Sequence, residues 1–203
     1  PLTKSKTLID KNGTFIDKIK WFGGYYKNVN KNDVEDEIEA QILQAISSGL
    51  KITHINGHNH IHIFPNVIDV VIKLAKKHRI RCIRVSNDTS YSKYLKEQGK
   101  KSMLTQFSKI AKNKIIKNKL KTADVFYGIL NMNDMDFYKL SKIFESIKNG
   151  TSELMMHPAY INKNGDSFHQ SKQREKEIEL LINNQIKNLI KKQHIRLINF
   201  SQT

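Results

Sequence analysis

The feature that most constrains this chain is an alternation: five short runs that are apolar almost throughout are separated by stretches of amphipathic, helical pattern. The runs are 52–55, 81–86 ("RCIRVS"), 123–129 ("ADVFYGI"), 152–158 ("SELMMHP") and 195–200 ("IRLINF"). A strand without a polar face must be covered on both sides, and a helix between successive strands makes a parallel crossover the natural connection. The expectation is an α/β fold whose parallel sheet is open or closed into a barrel.

The intervening helices can be placed from caps and stripes. Asn32 is read as the cap of a helix ending at Ser48, with Val34, Ile38, Ile42, Leu43 and Ile46 on one face and Gly49 as its stop. Pro65 sits in the first turn of a second helix reaching about His78, with Val67, Val70, Val71 and Leu74 as its buried stripe. Helical patterns also cover 101–119, 133–148 and 171–192, and "LIDKNGTFID" reads as a hairpin-like or loop segment around Gly13. With 203 residues, 38% of them hydrophobic, and no Ser/Gly/Pro-rich linker, one domain over 1–203 is expected.

The formal charge of +16 raises nucleic-acid binding, but the excess is nearly all lysine spread over helix faces, with only five arginines to read bases. No nucleic-acid partner is expected. No apolar run approaches the ~18 residues of a membrane helix. The single cysteine, Cys82, excludes an internal disulfide framework and fits a reducing compartment, so a cytoplasmic setting is expected. Self-association into a homo-oligomer is left open.

Polar, chemically capable side chains recur where the strands end. The run 52–55 leads to His58, 81–86 carries Arg84, 123–129 carries Tyr127 and Gly128, and 152–158 ends in His157 before Pro158. In open sheets and barrels alike, ligands bind at that rim. The densest cluster is "THINGHNHIHIFP", residues 53–65, which holds His54, His58, His60 and His62, half of the chain's eight histidines. In extended backbone His58, His60 and His62 would share one face and could serve as metal ligands or as a mixture of ligand and substrate contacts. Gly57 permits a turn or close approach beside them. His54 is assigned a structural role, and His78, His169 and His194 are read as helix-end or loop histidines. No second HxH and no CxxC follows the cluster; Asp88, Asp124 and Asp166 are scattered acids that could complete a site.

These motifs resemble the YdjC-like carbohydrate deacetylases of the ChbG/HpnK type. "THINGHNHIHIFPNVIDVVIKLAKKHRIRCIRV" is similar to the family's central signature, "ELMMHPAY" to its later His-Pro motif, and "QREKEIELLINNQIKNLIKKQHIRLINF" to its last helix and strand. The resemblance implies a distorted (β/α) barrel of the polysaccharide-deacetylase-like type. It also implies hydrolysis of the N-acetyl group of an amino sugar such as a chitooligosaccharide, with one divalent metal ion, Mg2+ or Zn2+. It implies that His58 is a metal ligand, that His60 and His62 contact substrate or support the site, and that His157 is the general acid for the leaving amine.

Two departures stand out. Asn56 occupies the place of a family acid two residues before the first histidine, and an amide adds no charge to a ligand. The family's opening strand with its Asp-Asp-Phe-Gly motif, and the strand supplying another histidine, find no match. "PLTKSKTLIDKNGTFID" resembles the segment that follows them. The resemblance therefore implies that the N-terminal strands, with a catalytic base and further ligands, are lacking, and that the 203-residue chain alone is inactive. Arg84 and Tyr127 are candidates to bind sugar hydroxyls or a phosphate, the alternatives being a rim salt bridge and a packed aromatic. The rival functions are a non-catalytic carbohydrate- or metal-binding module and a metal-dependent phosphoesterase.

Overall fold

The parallel pairing anticipated from the sequence is present in two places. His54–Ile55 (β1) pairs with Cys82–Ile83 (β2), and Val125–Tyr127 (β3) pairs with Ser152–Leu154 (β4), each in parallel register. The computed structural model describes residues 1–88, 98–129, 131 and 134–203, without the side chains of 98–102. Within this span the chain gathers into two compact units. Among the described residues the first comprises 1–86, 98–122 and 199–203, and the second comprises 87–88 and those of 123–198. The fold is α/β, and among the described residues its sheets are small and open; they do not by themselves form the expected barrel.

In the first unit, helices Lys18–Phe22 (α1), Lys31–Ser47 (α2), Ile68–Lys77 (α3) and Gln98–Lys117 (α4) accompany β1 and β2. The helix α3 follows the expected stripe: Val70, Val71 and Leu74 are buried, with Ile68, Ile72 and Ala75. Asp69 in its first turn and Lys76 and Lys77 in its last complement the helix dipole. The cap of α2 is Asn30 rather than Asn32; its side chain accepts the Asn32 N–H at 2.9 Å. Leu43 and Ile46 of α2 are exposed, and Glu37 instead joins Val34 and Ile42 on the buried face. A buried carboxylate is tolerated there because it accepts the N–H groups of Leu2 and Thr3, the Thr3 hydroxyl and the Gln41 amide. The opening segment forms the hairpin-like turn, with Ile9 bridging Phe15 around Gly13.

Phe64 is the centre of this unit. It is fully buried and meets Trp21, Phe22, Tyr26 and Phe107 edge-on, with ring centroids 5.1–6.0 Å apart. Burying such a ring contributes roughly 2–3 kcal/mol, and the edge contacts add to it. Because Phe64 directly follows the histidine-rich stretch, that stretch is anchored at its C-terminal end.

In the second unit, Phe137–Ser146 (α5), Gln173–Ile182 (α6) and Asn184–Lys192 (α7) surround β3 and β4, around a core of Tyr127, Met135, Leu140, Ile143, Phe144, Leu180 and Ile186. The start of α5 expected at Asn133 lies outside the described residues. The single helix expected over 171–192 is two. Asn183 takes extended ψ, and its side chain accepts the Gln185 N–H at 2.7 Å, which ends one helix and caps the next. The expected strand 195–200 is not a strand. Asn199 accepts the Ser201 N–H at 3.0 Å and starts a 3-10 helix, Phe200–Gln202, so a local side-chain bond displaces ladder pairing. No helix among the described residues is long and apolar enough to cross a membrane.

Candidate functional site

The histidine cluster departs from the expected extended backbone. Beyond Gly57 the chain winds into a 3-10 turn, His58–Ile63, in which Asn59 (φ 52°) and His60 (φ 60°) are both left-handed. Asparagine visits that region readily, whereas for histidine it costs on the order of 1 kcal/mol. The shared face of three imidazoles is therefore not formed: His58 is exposed, His60 half-buried and His62 buried. Consecutive strained residues in a loop at a strand end are a mark of functional sites.

Each ring has its own environment. The His62 Nδ1 accepts the Gly57 N–H at 3.0 Å, so Nε2 carries the ring proton and donates to the Arg84 carbonyl at 2.9 Å. Arg84 in turn donates its N–H to the Ile55 carbonyl at 3.0 Å, extending the β1–β2 pairing by one rung. Burial, with a smaller contribution from the Arg84 charge, pushes the His62 pKa down to about 4. His62 is a neutral brace between the two strand ends, away from solvent. The glycine at 57 is explained by the same ring, because a Cβ there would stand 2.9 Å from both Cβ and Nδ1 of His62.

His60 meets the hydroxyl of buried Ser86 at 2.6 Å through Nδ1. His58 projects into solvent just past Gly57, and Asn56 is exposed beside it. His54 stacks on Phe200 with ring centroids 3.8 Å apart and has Thr53 Oγ1 3.1 Å from Nδ1, in keeping with a structural role. Burial, then the Arg84 charge, lowers its pKa.

The other candidates, Tyr127 and His157, belong to the second unit. Tyr127 is a buried core residue, only 7% exposed, so its side chain is a packed aromatic and not a free binding group. His157 lies just beyond β4. Its backbone N–H donates to Oε2 of Glu177 at 2.5 Å, and its ring meets Phe168 edge-on at 5.3 Å. The Arg174 guanidinium lies 4.7 Å from the Phe168 centroid on its own account. The scattered acids have local partners: Asp88 accepts the N–H groups of Gly128 and Ile129, Asp124 that of Thr151, and Asp166 pairs with His169. His78 pairs with Glu39 at 2.8 Å.

Sequence reasoning missed Ser86 and Glu177. Ser86 closes a predicted strand and carried no motif. Glu177 sits in a charge-rich helix that reads as a solvated face, although its spacing from Leu180 puts both on one buried side. Among the described residues no three His, Cys, Asp or Glu side chains gather as a metal site, so they do not fit a divalent ion as a complete ligand set.

Parallel strand pairs flanked by amphipathic helices, with histidines at the strand ends, define an α/β protein. The fold is that of a solved Enterococcus faecalis protein described as a proposed cellobiose-phosphate cleavage protein, with a TM-score of 0.73 and 19% identity over 100% of this chain and 72% of that one. The YdjC-like protein family model matches residues 1–192, and the chain belongs to that family. A carbohydrate deacetylase of Thermoanaerobacter pseudethanolicus is 29% identical over 98% of this chain and 70% of its own length. One from Clostridium beijerinckii is 31% identical over 98% and 72%, and one from Brevibacillus brevis 29% identical over 84% and 61%. The chain thus spans between three-fifths and three-quarters of these relatives.

Proposed function

We propose that the protein hydrolyses the N-acetyl group of an N-acetylated amino sugar. The observation that carries this reading is family membership across nearly the whole chain, together with similarity to carbohydrate deacetylases over 98% of it. The geometry supports it at two points. The left-handed Asn59–His60 turn presents His58 to solvent beside an ordered His60, and His157 stands at a strand end with its backbone fixed.

Amide hydrolysis needs an activated water, stabilisation of the tetrahedral oxyanion and a proton for the departing nitrogen. In this reading His157 supplies that proton, because an imidazole is the side chain best matched to proton transfer near neutral pH. His60, held by Ser86, and the Arg84 side chain bind sugar hydroxyls, while His62 keeps the loop in register. His58 is assigned as one donor to a divalent ion. The described residues do not complete its ligand set. The test of the acid role is a comparison of substrates. His157→Ala should slow an N-acetyl sugar amide by roughly 10²–10⁴-fold and slow much less an acetyl ester with a phenolate leaving group, which needs no proton. Equal slowing of both would remove His157 as the acid.

A further inference from the structure

We propose that Glu177 is a positioning residue for His157, an inference that rests on the reading in which His157 delivers the proton. Glu177 is 2% exposed, and its Oε2 accepts the His157 N–H at 2.5 Å. Two further bonds tie the same segment to the start of the same helix: Ala159 N–H donates to the Arg174 carbonyl at 3.3 Å and Ile161 N–H to Glu175 Oε1 at 3.1 Å. In an extended segment alternate N–H groups face one side, so residues 157, 159 and 161 present theirs together and α6 receives all three.

Of the three acceptors, Glu177 is the buried side chain and the one that holds the residue carrying the imidazole. A buried carboxylate is costly unless bonded, and an apolar side chain of similar volume would often leave the fold as stable or more so. What an apolar residue could not do is fix the His157 amide. The bonded amide fixes the backbone from which the imidazole projects, and Phe168 meets the ring edge-on with centroids 5.3 Å apart. Glu177 contacts a backbone amide and no reacting atom, so it transfers no proton itself.

The test uses the full-length protein and four variants: Glu177→Ala, Glu177→Gln, His157→Ala and the double variant Glu177→Ala/His157→Ala. Acetate release from an N-acetylated chitooligosaccharide is the activity readout. Glu177→Ala should lower kcat by roughly 10- to 100-fold with KM within about twofold, the scale expected of a misplaced catalytic group. Glu177→Gln, whose amide oxygen still accepts an N–H, should recover most of that loss. In the His157→Ala background Glu177→Ala should change kcat no further. The second readout needs no turnover: in spectra of ¹⁵N-histidine-labelled protein the His157 amide proton should move upfield and exchange faster in Glu177→Ala but not in Glu177→Gln.

An unchanged His157 amide in Glu177→Ala overturns the proposal. So does an equal loss of kcat whether or not His157 is present, or a Gln variant no better than Ala. These outcomes with a slow His157→Ala enzyme sink the positioning role alone, whereas a His157→Ala enzyme as fast as the parent sinks the acid reading and the positioning role with it.

Discussion

Gly57 and His62 fit each other as backbone and ring: the Gly57 N–H donates to Nδ1 at 3.0 Å, and a Cβ on residue 57 would stand 2.9 Å from that nitrogen. Gly57 has φ −106°, which alanine adopts freely, so the cost of Gly57→Ala is steric alone. It should destabilise the protein by roughly 1–3 kcal/mol, the range for overpacking. Urea unfolding measures it, and His62→Ala made in the same chain should relieve only part of the penalty, because the ring is gone but the Cβ of residue 62, also 2.9 Å away, remains. A neutral Gly57→Ala would mean the ring is not seated as described.

The same ring makes stability depend on pH. The His62 pKa is pushed down to about 4 by burial, below the ordinary 6.5, so the unfolded chain binds a proton there that the folded one does not. Its contribution is fully present above about pH 6.5 and is lost as pH falls towards 4. A displacement of that size corresponds to roughly 3 kcal/mol. Unfolding free energies at several pH values should show this slope in the parent and a shallower one in His62→Gln. Identical slopes would contradict the buried, neutral assignment.

Much of this was legible in the sequence, and the misses have physical causes. The apolar runs gave four parallel strands, and Val67, Val70, Val71 and Leu74 are buried as their spacing requires. Tyr127 and His62 stand near strand ends, where the sequence leaves open a binding group or a packed, supporting one; both are buried, and burial is set by what packs above an end, which spacing does not encode. The period-two argument for His58, His60 and His62 failed because Asn59 and His60 turn left-handed. Asparagine makes such a turn permissible, but nothing in the string announces it. The strand at 195–200 was displaced by Asn199, whose side chain caps the turn at 200–202. Glu177 was hidden because a buried acid and a solvated one look alike in a Lys/Glu-rich helix.

Ser86 should matter for activity more than for stability. Its hydroxyl sits 2.6 Å from His60 Nδ1, so Ser86→Ala removes the bond that orients the ring. A drop in kcat/KM of roughly 10- to 100-fold is expected, the scale seen when the partner that orients a functional imidazole is lost. The accompanying loss of stability should be about 1 kcal/mol. A variant with full activity would remove His60 from the substrate-binding role.

His58 is exposed, so His58→Ala should leave the far-ultraviolet circular dichroism spectrum unchanged. If His58 acts in its proposed role as a ligand, its loss should also lower the divalent metal retained by the protein in elemental analysis. Metal content equal to the parent's would take His58 out of the ligand set.

The central claim is the bond that breaks, and one measurement addresses it most directly. Full-length protein is incubated with N-acetylated chitooligosaccharides, and acetate is quantified together with the free amine formed. The account predicts acetate and amine in equal amounts, with the sugar chain uncleaved, and loss of both products in His157→Ala. Sugars returned with every acetyl group in place, while a phosphorylated sugar under the same conditions yields inorganic phosphate, would contradict the deacetylase reading and favour phosphate-ester hydrolysis instead.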